Sequence, residues 1–427
     1  MNLEKISALF EKRFEKIEKD FKEQATQVNS LREDNVKLQE EVVRQSEVIV
    51  KQNEAITRLD KLKEQVPQVT YPQEEVMKQN AFSNPLKSSI STITRDYWSF
   101  PIDRVHVSTL TEVSFLRDYV VPRRPVILLG GIDHWNALQS WSHQESGMSR
   151  MISLCNKDAT TSIQCTPDGY GDCVRNKIFI KPLDRRIRFQ DALERIYSSR
   201  MHIHSKDKDK QITCEKVYLS GQDDNLRKDL PELLQDLGKN ASVCIATSAL
   251  GGETDVEAIN LWIGTYGSVS SVHKDNYDNL MSVITGCKRF LLLPPSDLLF
   301  LHEEEFHQAR YYHNDNDCKV NKKKDQSCWS IKHEIENGTI PWIPIDLEKI
   351  DLELYPNAAY LSPMTIDILA GETLFLPALW YHQVSHPLQD KVTIAVNSWR
   401  DFNMMSASYT THEILSKIRE NKGLDKR

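Results

Sequence analysis

The stretch that decides the fold runs from Asn260 to Asp275 and reads Asn260-Leu-Trp-Ile-Gly-Thr-Tyr-Gly-Ser-Val-Ser-Ser-Val-His273-Lys-Asp275. A second apolar run follows, from Ser282 to Pro295. Short apolar runs separated by a polar segment predict two buried β-strands. The polar segment between them carries an H-x-D pair, so His273 and Asp275 are expected on a polar loop between the two strands.

A third segment supplies the missing member of a metal-binding pattern. His382 ends Ala370-Gly-Glu-Thr-Leu-Phe-Leu-Pro-Ala-Leu-Trp-Tyr-His382, another short β-like run that a glycine turn opens. Two imidazoles and one carboxylate on one face of a metal leave the opposite positions open, which is typical of Fe(II) sites that use O2. The alternative is a surface pair plus an unrelated core histidine. The strand-like flanks favour a triad of His273, Asp275 and His382.

Length and composition limit the classes of protein. The chain has 427 residues, so two parts, or one large β domain with an appendage, are expected. Hydrophobic residues make up 40% and charged residues 27%, which is ordinary for a globular protein with a sizeable core. The formal charge of −7 argues against a general polyanion binder. We therefore expect no direct nucleic-acid binding.

The eight cysteines are scattered, without a C-x-x-C pair. In a chain of this length they predict reduced, mostly buried thiols of an intracellular protein. No apolar run is long enough to cross a bilayer, and the N-terminus lacks a signal-peptide core. The sequence thus predicts a cytoplasmic protein, possible in the nucleus as well, without a membrane partner.

Residues 1–66 contain no glycine and no proline and fit a heptad repeat. Asn35 falls at an a position between Leu31 and Leu38 at d positions, which is how two-stranded coiled coils set their register. The segment predicts an N-terminal α-helical coiled coil and hence a homodimer. The alternatives are a single solvated amphipathic helix or a helix packed on the body of the protein.

Residues 67–96, with two early prolines and a Ser/Asn-rich stretch, predict a flexible linker, and residues 97–427 predict the catalytic body. Helical spacing predicts short helices over Thr111–Tyr119 and Arg188–Ser198. A further helix around Thr410–Arg419 is an alternative dimerisation element.

With these residues in view, the body resembles the JmjC-domain oxygenases that depend on 2-oxoglutarate, and within them the jumonji domain-containing protein 7 group. The resemblance runs from about Phe100 to about Leu415 and is carried by Val217-Tyr-Leu219, by Leu376-Pro-Ala-Leu-Trp-Tyr-His382 and by Val396-Asn-Ser398. It implies a mainly β fold with flanking helices. The core would be a double-stranded β-helix, that is, a jelly-roll cupin barrel with an α-rich N-terminal part outside it.

The resemblance also implies a set of cofactors and ligands. His273, Asp275 and His382 would hold Fe(II), 2-oxoglutarate would chelate the iron, and O2 would be consumed. Lys288 would pair with the distal carboxylate of 2-oxoglutarate, although adjacent Arg289 competes for the inward face of the strand. Four further residues match positions that contact the cosubstrate: Tyr218, Ser270, Asn279 and Asn397. Tyr218, Asn279 and Asn397 could instead be ordinary residues bonded to backbone. Ser270 stands where the family commonly has threonine and keeps the hydroxyl donor.

The substrate implied by the resemblance is a lysine side chain, hydroxylated at C3, in a GTP-binding protein of the developmentally regulated type. Tyr277 and Asp278, just after the H-x-D pair, are candidates for binding that lysine. Three alternatives stay open: N-methyl-lysine demethylation, the histone-tail endopeptidase activity attributed to the group, and a non-enzymatic dimeric adaptor. The endopeptidase is not favoured, because no nucleophile–histidine pair and no H-E-x-x-H accompanies the triad.

Overall fold

The computed structural model of the chain describes residues 85–98, 101–201, 215–238, 241, 243–252, 255–314, 328–388, 391–401 and 406–422. The coiled coil expected over residues 1–66 lies outside the described residues. So does the first part of the linker expected over residues 67–96.

The end of that linker segment is not a linker. Residues Pro85–Trp98 form helix α1, which begins at a proline, a residue well tolerated in the first turn of a helix. The Ser91 hydroxyl donates to the carbonyl of Tyr360 at 2.8 Å, and Trp98 meets Trp380 edge to face with ring centroids 5.1 Å apart. The serine-rich composition predicts a loop here, but packing against the body overrides that local preference.

The remaining helices are short and lie mostly before the barrel strands. They are α2 (Glu112–Phe115), α3 (Ala137–Ser140), α4 (Gln144–Leu154), α5 (Phe189–Met201), α6 (Asn225–Asp229), α7 (Cys244–Ala249) and α8 (Ala407–Lys422).

Nineteen strands are described. They are β1 (Asp103–His106), β2 (Val126–Leu129), β3 (Thr160–Thr166), β4 (Tyr170–Gly171), β5 (Cys173–Arg175), β6 (Ile178–Lys181), β7 (Leu183–Arg188), β8 (Lys216–Tyr218), β9 (Ala258–Gly264), β10 (Val269–Lys274), β11 (Tyr277–Thr285), β12 (Cys287–Leu293), β13 (Glu304–His313), β14 (Trp329–His333), β15 (Thr339–Trp342), β16 (Met364–Leu369), β17 (Glu372–Leu376), β18 (Tyr381–Ser385) and β19 (Thr393–Asp401).

Two of the sheets make the barrel. One has the order β1-β2-β17-β11-β19-β9 and the other the order β16-β12-β18-β10-β4. Consecutive strands β9, β10, β11 and β12 alternate between the two sheets, as do β16, β17, β18 and β19, which is the winding of a jelly roll. Two further sheets are described: a five-stranded sheet of order β14-β13-β6-β5 with β15 also paired to β13, and a three-stranded sheet of order β7-β3-β8. The expected mainly β fold with flanking helices is confirmed.

The two apolar runs form buried strands, as the sequence predicts, but the segment between them is not a loop. It contains β10 and β11, and His273 lies within β10. Every residue of β9 and of β12 is buried. Helix α2 begins after Thr111, whose hydroxyl accepts from the backbone N–H of Ser114 in a capping box. Helix α5 covers the helix predicted over Arg188–Ser198.

Among the cysteines that the structure describes, Cys328 departs from the prediction. Cys155, Cys165, Cys173 and Cys287 are free thiols, as expected, but Cys328 is disulfide-bonded. The expectation of reduced thiols is therefore wrong for Cys328. Sequence spacing does not reveal which cysteines approach each other in the folded chain. Among the helices that the structure describes, none combines the length and the hydropathy that crossing a bilayer requires.

Candidate active site

The H-x-D pair and the distant histidine meet on neighbouring strands. Strands β10 and β18 are antiparallel, and His273 is the register partner of His382. One ligand atom from each of His273, Asp275 and His382 lies within 4.8 Å of the others. The His382 Nε2 atom is 3.7 Å from an Asp275 carboxylate oxygen. Strand pairing thus assembles the expected triad.

Backbone carbonyls fix the tautomer of both histidines. The Nδ1 atom of His273 is 2.7 Å from the carbonyl oxygen of Ser271, and the Nδ1 atom of His382 is 3.0 Å from that of Trp380. A carbonyl only accepts, so each Nδ1 carries the proton and each Nε2 presents a lone pair to a metal. Burial, together with the neighbouring His273, lowers the pKa of His382 to about 4. Two imidazole nitrogens and one carboxylate fit a divalent ion such as Fe(II).

Next to the triad lies a buried cation without an anion. Lys288 in β12 is only 2% exposed, and its Nζ atom stands 4.7 Å from the ring centroid of Trp262. Its nearest polar contact is the Met281 sulfur at 3.9 Å, and no carboxylate of the described residues pairs with it. Burial lowers the pKa of Lys288 to about 7. A buried, uncompensated ammonium is costly, so this geometry fits an anionic ligand.

Arg289 is the opposite case, although it is the next residue along the strand. Its guanidinium binds the Asp367 carboxylate through two hydrogen bonds of 2.8 and 2.9 Å. Strand alternation sends the two side chains to opposite faces, and Arg289 already has its partner. Lys288 is therefore the cation that faces the barrel interior.

Tyr218 and Ser270 line a cavity together with Trp262, whose ring contacts Lys288. The Tyr218 ring in β8 is 6.1 Å from that of Trp262, and Ser270 in β10 lines the same cavity of about 80 Å³ as Tyr218 and His273. The tyrosine stays protonated, because burial raises its pKa further above the ordinary value. Its hydroxyl is therefore a hydrogen-bond donor for an acceptor in the cavity.

The two asparagines are brought together in the barrel interior. The Asn397 side-chain amide donates to the Asn279 side-chain oxygen at 3.1 Å. The Asn397 oxygen in turn accepts from the indole N–H of Trp262 at 2.7 Å. Through Trp262, this pair supports the ring beneath Lys288.

His386 belongs to the same cluster and was not predicted. It is 3% exposed, its Nδ1 atom is 3.1 Å from the carbonyl of Ser268, and its Nε2 atom has no partner. Burial and the nearby Lys288 lower its pKa to about 3, so it is neutral. A signal exists in the sequence, because the spacing from His382 is even, and His386 follows directly after β18, so strand alternation continued by one residue predicts the same side for both rings.

Gly264 makes room for two of these rings. A Cβ atom at this position would lie 2.8 Å from both the Tyr218 ring and the His386 ring. The glycine at the end of β9 therefore permits the close approach of Tyr218 and His386 beneath the cavity.

The structure does not place the two predicted lysine-binding residues in this cavity. The Asp278 carboxylate is buried, binds both terminal nitrogens of Arg123, one of them at 3.0 Å, and accepts from the backbone N–H of Ala378 at 2.9 Å. Tyr277 stacks on Trp399 with centroids 5.3 Å apart. Asp278 therefore has a structural ion pair. Sequence reasoning missed this pair, because Arg123 is remote along the chain.

Another acidic residue does line the cavity. Asp172, directly after β4, shares the cavity with His273 and Trp342. Burial raises the pKa of its carboxyl to about 6. Nothing in the local sequence marks Asp172, which follows strand β4 and lies far before the triad along the chain.

A jelly-roll barrel with a two-histidine, one-carboxylate triad at its mouth defines a cupin-type protein, and comparison with known proteins agrees. The family model described as a cupin-like domain matches residues 112–406 of this chain. The human protein named "bifunctional peptidase and (3S)-lysyl hydroxylase JMJD7" is 33% identical over 74% of this chain and 89% of its own length.

Two other relatives are similar at the same level. "JmjC domain-containing protein E" of Dictyostelium discoideum is 32% identical over 70% of this chain and 84% of its own length. "Lysine-specific demethylase JMJ32" of Arabidopsis thaliana is 33% identical over 70% of this chain and 81% of its own length. The chain belongs to the JmjC 2-oxoglutarate oxygenases of the cupin-like family.

Proposed function

We propose that this protein is an Fe(II)- and 2-oxoglutarate-dependent dioxygenase that hydroxylates a lysine side chain in a partner protein. The observation that carries the proposal is the buried Lys288 ammonium beside the triad of His273, Asp275 and His382. A metal-only site needs no such cation, whereas a dicarboxylic cosubstrate does. The name of the human relative, a (3S)-lysyl hydroxylase, supports lysine C3 as the position of reaction.

Separate sets of residues would bind the metal and the cosubstrate. His273, Asp275 and His382 would hold the iron on one face. The Lys288 ammonium and the Tyr218 and Ser270 hydroxyls would hold the distal carboxylate of 2-oxoglutarate. Bound Fe(II) supplies O2 chemistry in which one oxygen atom enters the substrate C–H bond and the other enters succinate, with release of CO2.

The experiment is succinate release from 2-oxoglutarate with and without Fe(II), in wild type and in His273→Ala. We expect Fe(II)-dependent turnover that the substitution abolishes. His313→Ala, a histidine of β13 outside the cavity, is the matched control and should keep wild-type turnover. Turnover that survives His273→Ala contradicts the iron assignment.

The substrate is tested separately, by mass spectrometry of partner proteins after incubation with enzyme, 2-oxoglutarate and Fe(II). A lysine that gains one oxygen atom supports hydroxylation. The second candidate is N-methyl-lysine demethylation, which the name of the Arabidopsis relative favours. Loss of methyl groups from N-methyl-lysine, without a lysine that gains oxygen, would favour demethylation.

The partner proposed from the resemblance is a GTP-binding protein of the developmentally regulated type. The peptidase in the human relative's name finds no support in the active site. Among the described residues, the triad is the cluster that could hold a metal, and it contains no glutamate. A non-enzymatic adaptor is disfavoured, because the triad and Lys288 are both intact.

Dimerisation through residues 1–66 stays a prediction, as do a cytoplasmic or nuclear location and the absence of nucleic-acid binding. Light scattering of the full chain and of a chain lacking residues 1–66 tests the dimer. A lower mass after deletion supports the coiled coil. An unchanged dimer points instead to another element, such as α8.

A further inference from the structure

We infer that Asp172 selects a cationic side chain of the substrate by pairing its carboxylate with the ammonium of an unmodified lysine. The inference rests on the proposed function, because it assumes that a substrate side chain enters the cavity beside His273. It replaces the sequence-based assignment of Asp278, whose carboxylate is held by Arg123.

The first argument is position. Strand β4 runs parallel to β10, with Gly171 as the register partner of Ser270, so Asp172 follows the strand next to the one that carries His273. The backbone carbonyl of Asp172 accepts from the Ser271 hydroxyl, which itself accepts from the Trp342 indole N–H at 3.2 Å. These bonds anchor Asp172 at the wall of the cavity that His273 also lines.

The second argument is the missing partner. Within the part of the chain that the structure describes, the Asp172 carboxylate has no ion pair and no hydrogen bond. The nearby cations are committed elsewhere: Arg310 to Asp184 and Glu334, and Lys181 also to Glu334. A half-buried carboxylate without a partner is unfavourable, and an incoming cation would relieve that cost.

The third argument is the backbone. Asp172 has φ of 53°, in the left-handed region that residues other than glycine seldom adopt. Such conformations persist where the surrounding structure holds them, and they are frequent at ligand-binding sites. Here the Ser271 hydroxyl holds the strained residue through its carbonyl.

The fourth argument is charge within the cavity. Asp172 is the acidic residue among its described lining residues. The Lys216 ammonium also lines the cavity and donates to the carbonyl of Tyr266 at 3.4 Å. Lys288 serves the anionic end of the site, so Asp172 is left to attract the opposite charge. The site then accepts an anionic cosubstrate at Lys288 and a cationic side chain at Asp172.

The test uses a defined probe, Nα-acetyl-L-lysine methylamide, because the substrate protein is unidentified. Binding is measured as paramagnetic broadening of the probe's side-chain NMR signals by Mn(II)-loaded protein in the presence of 2-oxoglutarate. We expect saturable broadening with wild type and an at least tenfold higher Kd with Asp172→Asn. The norleucine analogue, which lacks the ammonium, should bind wild type and Asp172→Asn equally weakly.

The matched control is Asp223→Asn. Asp223 has φ of 67°, a similar left-handed conformation, but is exposed and outside the cavity lining. It should bind the lysine probe like wild type. Equal Kd values for wild type and Asp172→Asn overturn the inference, as does a wild type that does not prefer the lysine probe to the norleucine analogue.

Failure of the proposed function gives a different pattern. In that case, wild type itself does not bind 2-oxoglutarate in the Mn(II)-loaded state, whatever residue stands at 172. Asp172→Asn should bind 2-oxoglutarate within twofold of wild type, because Lys288 is untouched. A second readout is activity: Asp172→Asn should lower lysine hydroxylation at least tenfold, and Asp172→Glu should restore part of it.

Discussion

Two buried ionisable residues, Asp236 and Lys288, differ in whether other groups of the protein compensate their charge. Asp236, in the helical layer, is 1% exposed and accepts hydrogen bonds from Asn136 at 2.8 Å, from the Trp141 indole at 3.0 Å and from Arg150 at 3.0 and 2.9 Å. Lys288, in the barrel, is 2% exposed, and its ammonium group contacts the Met281 sulfur and the Trp262 ring.

Their pKa values follow from these surroundings. Burial alone would raise the pKa of Asp236, but hydrogen bonds from Arg150, Asn136 and Trp141 outweigh it and lower the pKa to about 2. Lys288 has no such compensation, and burial lowers its pKa to about 7. A satisfied buried charge holds the fold together, whereas an unsatisfied one marks a place for a ligand.

The largest expected effect comes from removing Asp236, the buried charge that has partners. Asp236→Ala leaves the Arg150 guanidinium without its partner and should lower the free energy of unfolding by about 3–5 kcal/mol. In wild type, the contribution of Asp236 is present above about pH 4 and is lost as pH falls toward 2. Urea denaturation at several pH values measures both. A loss below about 1 kcal/mol would show that the cluster is not a structural anchor.

Lys288→Met should weaken the binding of 2-oxoglutarate but stabilise the protein in the absence of this cosubstrate. It removes the cation for the cosubstrate and should cost about 2–5 kcal/mol of binding, which is a roughly 30- to 5,000-fold higher Kd for 2-oxoglutarate. Without cosubstrate, the variant should be more stable than wild type by about 1–4 kcal/mol, because an uncompensated buried charge is gone. Calorimetry and urea denaturation measure the two quantities. A less stable variant contradicts the view of Lys288 as a ligand-binding cation.

Gly264→Ala should weaken the pocket by a smaller amount. The added methyl group would lie 2.8 Å from the Tyr218 and His386 rings, and such overpacking costs about 1–3 kcal/mol. We expect the Kd for 2-oxoglutarate to rise by roughly 5- to 100-fold, with metal binding unchanged. Gly338→Ala lies outside the barrel sheets and meets nothing within 4 Å, but its φ of 69° strains any side chain. It therefore controls for a general loss of stability and should leave the Kd for 2-oxoglutarate unchanged. An unchanged Kd for Gly264→Ala would show that the two rings do not shape the cosubstrate pocket.

The smallest expected effect is the pH dependence of the Kd for 2-oxoglutarate. Below about pH 7 Lys288 is already protonated, so the Kd for 2-oxoglutarate should be flat. Above pH 7 the amine must regain a proton to bind the carboxylate, so Kd should rise by up to about tenfold per pH unit. Titration calorimetry from pH 6 to pH 9, with Lys288→Met as the reference, tests this. A flat profile through pH 9 would place the pKa of Lys288 near its ordinary value.

Predictions from sequence succeeded where chemistry is local. Strand alternation allows only one of Lys288 and Arg289 to face inward, and the family resemblance favoured Lys288. The H-x-D pair was expected on a loop, whereas His273 lies near the end of strand β10. The linker prediction failed over α1, because contacts with Tyr360 and Trp380 are invisible in a serine-rich segment.

By itself the sequence determined the buried strands, the triad residues and the family, because periodicity and short motifs depend on neighbours along the chain. Only the tertiary structure decided which charges are satisfied. Arg123 reaches Asp278 and Asp172 lines the cavity with His273, and these relations join remote segments. Folding brings such segments together through the register of paired strands, and a side chain's partner is fixed only then.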